Sequence, residues 1–209
     1  QFPDCVLPSR WVDRWKATDD GGLKAKSRIV ILGFKDPMVL HLERSAPTPT
    51  HEAFTTSMQV LASNQWDAWS SDIKNAFAQS RKTTRSQPIA AALPPGLAEA
   101  GYELDPRQIL LCETEVYGLI SGPSWLRQSL VCDFEELGYK RNPYDKCIMT
   151  LPPSGSAQVL NDGTVLIEVD DLLEGGNERH RRKMQQFYNK CKCGKCKKLK
   201  DLGDEGALI

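Results

Sequence analysis

The chain has no apolar run long enough to span a bilayer and no secretory signal, so it reads as a protein that folds in water. It has no net charge either: 27 Lys and Arg balance 27 Asp and Glu, and overall charge argues for no particular partner. A Gly-x-x-x-x-Gly-Lys-Ser/Thr loop is missing, which excludes a P-loop ATPase. Internal repeats and low-complexity tracts are missing as well. The cysteines do not come in an even set. Seven of them (Cys5, Cys112, Cys132, Cys147, Cys191, Cys193 and Cys196) are scattered apart from one cluster, which reads as reduced thiols inside a cell, in cytoplasm or nucleus. The chain starts at Gln1 rather than methionine and stops at Ile209 in mid-pattern. Both ends are taken as arbitrary, and the chain is expected to be a piece of something longer.

What is present is a mixture of short strand and helix patterns. Residues 24–35 are rich in β-branched side chains and read as a strand or hairpin arm stopped by Gly33. Thr50 is placed to cap a helix through residue 65, with Ala53, Phe54, Met58 and Leu61 near helical spacing. The aromatic stretch 66–72 suggests a strand ending in Asp72 and leading into a helix or turn at 73–80. Residues 108–118 form another strand-like run. Pro123 suits the start of a helix, and Gly138 suits its stop. Residues 145–152 and 157–176 read as strands with a hairpin turn at Asn161-Asp162-Gly163. Residues 177–190 form a basic amphipathic helix capped by Asn177. The expected class is α+β.

The chemistry concentrates in "TVLIEVDDLLEGG", residues 164–176. Adjacent carboxylates at the end of an apolar strand are unfavourable unless something positive sits beside them. Alternation predicts Val165, Ile167 and Val169 on one face and Leu166, Glu168 and Asp170 on the other. Magnesium takes one or two protein carboxylates with water and phosphate oxygens, and paired ions serve phosphoryl transfer. Such a site wants a further carboxylate from another strand, and Asp72 is the best candidate. Taken alone, the Asp170-Asp171 pair is better read as a turn or helix cap.

In order, "KSRIVILGF", "SSDIKNAF", "LPPG", "VYGLISGPSW" and "VDDLLEGG" resemble the reverse transcriptase of copia-type retrotransposons over roughly residues 10–200. The resemblance implies a right-hand polymerase palm with partial fingers, an antiparallel sheet backed by helices, and no thumb. Residues 1–65 would be fingers-like, 66–176 the palm, and 177–209 a basic helix leading toward the missing thumb. It implies Asp72, Asp170 and Asp171 as catalytic ligands of two magnesium ions, with manganese as a possible substitute. Lys26 and Arg28 would hold the incoming triphosphate. Phe77 would be the steric gate against a 2′-hydroxyl, Tyr117 and Gly118 would contact the nucleotide, and Pro123 the template. The implied partners are an RNA or DNA template with primer, deoxynucleoside triphosphates and the rest of a Pol polyprotein, with integrase and RNase H; no membrane is implied. Read as plain structure, Phe77 is core, Lys26 and Arg28 a solvated strand edge, and residues 117–123 a strand-to-helix turn.

The sequence departs from the family pattern at several points. Glu168 stands where tyrosine is common, Ile120-Ser121 where Lys-Gln is usual, and Ser124 where arginine is common. Those changes suit either a divergent working enzyme or an inactive truncated remnant. From Arg179 to Lys200 the chain has ten Lys and Arg and no acid. That run is expected to be a solvated helix face or a phosphate-tracking surface, and a non-catalytic nucleic-acid-binding module is the other alternative. Cys191, Cys193 and Cys196 supply three of the four ligands a structural zinc wants. A basic loop touching phosphates is the preferred reading of that cluster.

Overall fold

The computed structural model describes residues 6–18, 20–97, 99, 101–103, 105, 107–155 and 160–202. In chain order these form β1 (Val6–Leu7), β2 (Ser9–Ala17), β3 (Leu23–Ile31), α1 (His51–Ser63), β4 (Trp69–Ile73) and α2 (Ala76–Gln79). There follow β5 (Ile89–Ala92), β6 (Ile109–Cys112), α3 (Gly122–Glu136), β7 (Lys140–Arg141), β8 (Ile148–Leu151), β9 (Gly163–Glu168), β10 (Asp171–Gly176), α4 (Glu178–Lys190) and β11 (Cys193–Lys198). The class is α+β, with sheet backed by helices. No described helix is long and apolar enough to cross a membrane. The chain divides into two compact units, one of residues 1–44 and 80–125, the other of residues 45–79 and 126–209.

In the first unit, β2 and β3 make a long antiparallel hairpin that exposes Trp15 and Leu23. A separate small sheet has the order β1-β5-β6. Leu7, Ile31, Ile89, Ala91 and Leu119 form the core. Residues 113–118 do not continue β6 as a strand, contrary to the sequence expectation. They turn so that Glu115 is buried against Arg85, whose Nε donates to Glu115 Oε1 at 2.6 Å. Arg85 also binds Asp36 and Ser121, and Ser121 donates to Glu115 Oε2 at 2.6 Å. A buried carboxylate needs such partners, which explains both the turn and the serine at 121.

The second unit is built on a six-stranded antiparallel sheet of order β11-β4-β10-β9-β8-β7. Alternation decides its two faces. Ile73, Leu172, Val165, Ile167, Met149 and Leu151 pack with Leu126, Leu130 and Phe134 of α3 and with Met184 and Phe187 of α4. The rings of Phe134 and Phe187 stack 4.6 Å apart. On the opposite face Ile148, Leu166 and Leu173 meet Ala53 of α1. Strand β9 is thus covered on both sides, and its apolar run in the sequence is unbroken for that reason.

The helix caps follow the expected chemistry. Thr50 accepts from Ala53 N and Asn177 from Arg179 N and His180 N. Gly138 takes φ = 93° just past α3. Three expectations are corrected. Phe54 of α1 is 44% exposed, and Ser57 takes a buried place between Ala53 and Leu61. Asn161-Asp162-Gly163 is not a two-residue hairpin turn, because Leu151 pairs with Gly163 across a long connection. The part of that expected strand at residues 157–159 lies outside the described residues. Asp162 is instead buried and accepts from Ser154, Asn177 and Arg179. The cysteine-lysine segment 193–198 is strand β11, not a loop.

Gly163 and Gly176 let β9 and β10 pass against α4. A methyl on Gly163 would lie 2.2 Å from His180 Nδ1. Gly163→Ala is therefore expected to lower stability by about 1–3 kcal/mol, as overpacking does. Gly155→Ala, with nothing within 4 Å among the described residues, should leave the urea midpoint unchanged.

Candidate functional site

The antiparallel pairing of β10 with β4 sets Asp171 directly opposite Asp72, and its pairing with β9 sets Asp171 opposite Glu168. Cross-strand partners share a face, so the three carboxylates stand together at the strand ends, all exposed. The alternation expected from sequence put Glu168 with Asp170. That expectation fails because β9 ends at Glu168 and Val169-Asp170 form the two-residue connection to β10. Asp170 sits at the tip, half-buried, and its carbonyl accepts from Ile73 N at 2.9 Å, tying the tip to the end of β4.

Val169 holds φ = 54°. A hairpin connection this short favours positive φ, usually with Gly or Asn, and a β-branched residue there costs about 1–2 kcal/mol. Backbone strain of this kind clusters at functional sites. Val169 is held there by packing on the core beneath the sheet.

The Asp171 carboxyl is pushed above its ordinary value, first by the protein around it and then by the charges of Asp170, Asp72 and Glu168. Four acids therefore act on one another at this edge. Among the described residues, no three Cys, His, Asp or Glu side chains stand in a metal-holding arrangement. The donor set is nonetheless one of hard oxygens under mutual repulsion, and a small divalent cation relieves that repulsion.

Beneath the carboxylates runs a buried polar chain that the sequence reading missed. Ser71, beside Asp72, donates to Tyr188 Oη at 3.1 Å, and Tyr188 donates to Glu174 at 3.4 Å. Glu174 Oε2 lies 2.6 Å from His180 Nε2, and His180 Nδ1 lies 2.9 Å from Tyr139 Oη. Burial, then the Glu174 charge, pushes both phenols up, so each keeps its proton. Tyr139 then donates to Nδ1, leaving Nε2–H to donate to Glu174. Two sequence signals pointed here: Glu174 shares the inward face with Leu172, and His180, Met184 and Phe187 share one helical stripe.

The remaining residues singled out from sequence fall into place by unit. In the first unit, Lys26 and Arg28 share the less exposed face of β3. The Arg28 guanidinium lies 5.0 Å from the centre of the Tyr117 ring. Tyr117 O accepts from Ile31 N at 2.9 Å, and Gly118 is a required glycine. It has φ = 92°, and a Cβ there would lie 2.0 Å from Ile31 O. Pro123 is in the first turn of α3. In the second unit, Phe77 is half-buried and packs on the main core. Burial pushes the Cys191 thiol to about 11 and the Cys193 thiol to about 12, which disfavours the thiolates a zinc ion needs.

No protein-family model matches the chain, and no curated protein matches it in sequence.

Because the folded state raises the Asp171 carboxyl, it holds that proton more tightly than the unfolded chain does. Stability from this group is full below the unfolded carboxylate range and is lost as pH rises through the folded value. In EDTA at neutral pH, Asp171→Asn should melt higher than the unaltered chain. The gain should fade toward about pH 4; equal melting at neutral pH would refute the repulsion.

Proposed function

We propose that the chain is the palm and partial fingers of an RNA-directed DNA polymerase of the copia-type kind. It would extend a primer on a nucleic-acid template from deoxynucleoside triphosphates. The observation that carries this reading is the register that sets Asp72 opposite Asp171 while Asp170 occupies the tip of the β9–β10 turn. In this reading the six-stranded sheet with α3 and α4 is the palm, and the β2–β3 hairpin belongs to the fingers.

Asp72, Asp170 and Asp171 are the groups that would hold two magnesium ions. The raised Asp171 carboxyl and the all-oxygen donor set support that fit. When bound, such ions activate a primer 3′-hydroxyl and neutralise charge on the phosphates. The chain's own contribution is positioning. Ladder hydrogen bonds fix the carboxylates before substrate arrives, and a site organised in advance need not reorganise during reaction. Lys26 and Arg28 are proposed to neutralise the triphosphate, with Arg28 steadied on the Tyr117 ring. Tyr117 and Gly118 are proposed to contact the nucleotide, Pro123 the template, and Phe77 the sugar.

Glu168 favours a second reading. Opposite Asp171 in register, it adds a fourth negative charge, which suits a chain that binds nucleic acid without catalysis. Primer extension separates the two readings.

The purified chain is expected to extend a DNA primer on an RNA template only with magnesium or manganese. Asp72→Asn and Asp170→Asn should each abolish extension while circular dichroism stays unchanged; extension retained in either variant rules out the assignment. Phe77→Val should raise ribonucleotide use relative to deoxynucleotide use, measured as the ratio of kcat/KM values. An unchanged ratio would leave Phe77 as core alone.

A further inference from the structure

We infer that β11 is a phosphate track, along which two lysines on the carboxylate-bearing face hold the backbone of a nucleic-acid strand beside Asp72. This rests on the nucleic-acid reading above and assigns that substrate to a specific strand.

Among the described residues, strand β11 is the edge of its sheet and pairs with β4 alone. Its register has one irregularity, between Cys193 and Lys195. Cys193 sits opposite Ile73 and Lys195 opposite Asp72, which leaves Gly194 as the extra residue of a bulge. That one residue decides the chemistry. Without it Lys195 would face Ser71 and Lys197 would face Trp69, turning both lysines to the helix-backed side. With it, Lys195 pairs with Asp72 and Lys197 with Ser70, so both stand on the face that carries the carboxylates, opposite the one packed on α3 and α4. Both are exposed. A Cβ at the bulge would lie 2.9 Å from Asp72 Oδ2, so a larger residue there would displace the Asp72 carboxylate.

The strand is held at both ends. Lys192 N donates to Gln79 Oε1 at 2.8 Å, and Lys192 O accepts from Lys74 N at 3.0 Å and from Gln79 Nε2 at 2.9 Å. Leu199 N donates to Ala68 O at 2.9 Å. The neighbouring lysines are used differently. Lys198, turned to the other face by alternation, pairs with Asp67, which also takes Arg181 and Lys200. The basic run thus splits into a cluster around Asp67 and a pair beside Asp72. Alternate residues on a strand lie about 7 Å apart, close to the spacing of successive phosphates along one strand. A cationic pair beside four carboxylates suits a polyanion that must approach those acids, since the lysines offset the repulsion.

The test is binding of a fluorescein-labelled DNA primer annealed to an RNA template, read by anisotropy in EDTA across a salt series. Lys195→Gln/Lys197→Gln should weaken binding and flatten the log K against log salt slope by about 1.4–1.8, as loss of two phosphate contacts does. Lys195→Arg/Lys197→Arg should restore the slope. Arg182→Gln/Lys183→Gln on α4 should leave it unchanged. Three results would each overturn the track: an unaltered slope in the glutamine variant, an equal loss in the α4 variant, or no duplex binding by the unaltered chain. The assay needs no catalysis, so a chain that binds through these lysines yet never extends a primer refutes the polymerase reading only. One that extends while its binding ignores them refutes the track only.

Discussion

Four carboxylates on one sheet edge repel one another, and the backbone ladder joining β4, β10 and β9 is what keeps them together. Backbone pairing is indifferent to the side chains it carries. The register that aligns Asp72, Asp171 and Glu168 is enforced by every apolar pair further along the same strands. A slip of one residue would turn Leu172 and Ile167 outward and bury the acids, which burial energetics forbids. The apolar core beneath the sheet therefore holds the charged face in place.

The same logic explains the polar groups under the sheet. Ser71, Tyr188, Glu174, His180 and Tyr139 form a satisfied chain from β4 through β10 to α4. Removing one partner would leave the buried Glu174 carboxylate or a buried polar group without a hydrogen bond, so such a chain holds its members in one arrangement. It fastens two of the three carboxylate-bearing strands, β4 and β10, to one helix. In the first unit Arg85 plays a comparable part among Asp36, Glu115 and Ser121. Ser121 there completes a buried network.

Much of this was legible in the sequence. Thr50, Asn177 and Gly138 mark helix ends by chemistry local to a few residues, and they fall where expected. The apolar run before Asp170 announces a strand, and the structure shows it covered on both sides. Less legible was everything that depends on a partner distant in sequence. Phe54 looked like core by spacing, yet α1 turns Ala53, Ser57 and Leu61 inward. Glu168 was assigned to the face of Asp170, because alternation cannot anticipate that Val169 leaves the extended region. The segment 193–198 looked like a loop because lysine, cysteine and glycine carry little strand preference, and only pairing with β4 makes it a strand.

The sequence by itself determined the helices with their capped ends, the apolar strand before Asp170 and the identity of the acids and lysines, because propensity and periodicity act over a few residues. Tertiary structure decided which of those groups meet. Asp72 reaches Asp171 through strand order, Glu174 reaches His180 through helix packing, and Lys195 turns toward Asp72 through a bulge of one residue. Each is a pairing between distant segments, and burial and hydrogen bonding across the whole unit select it.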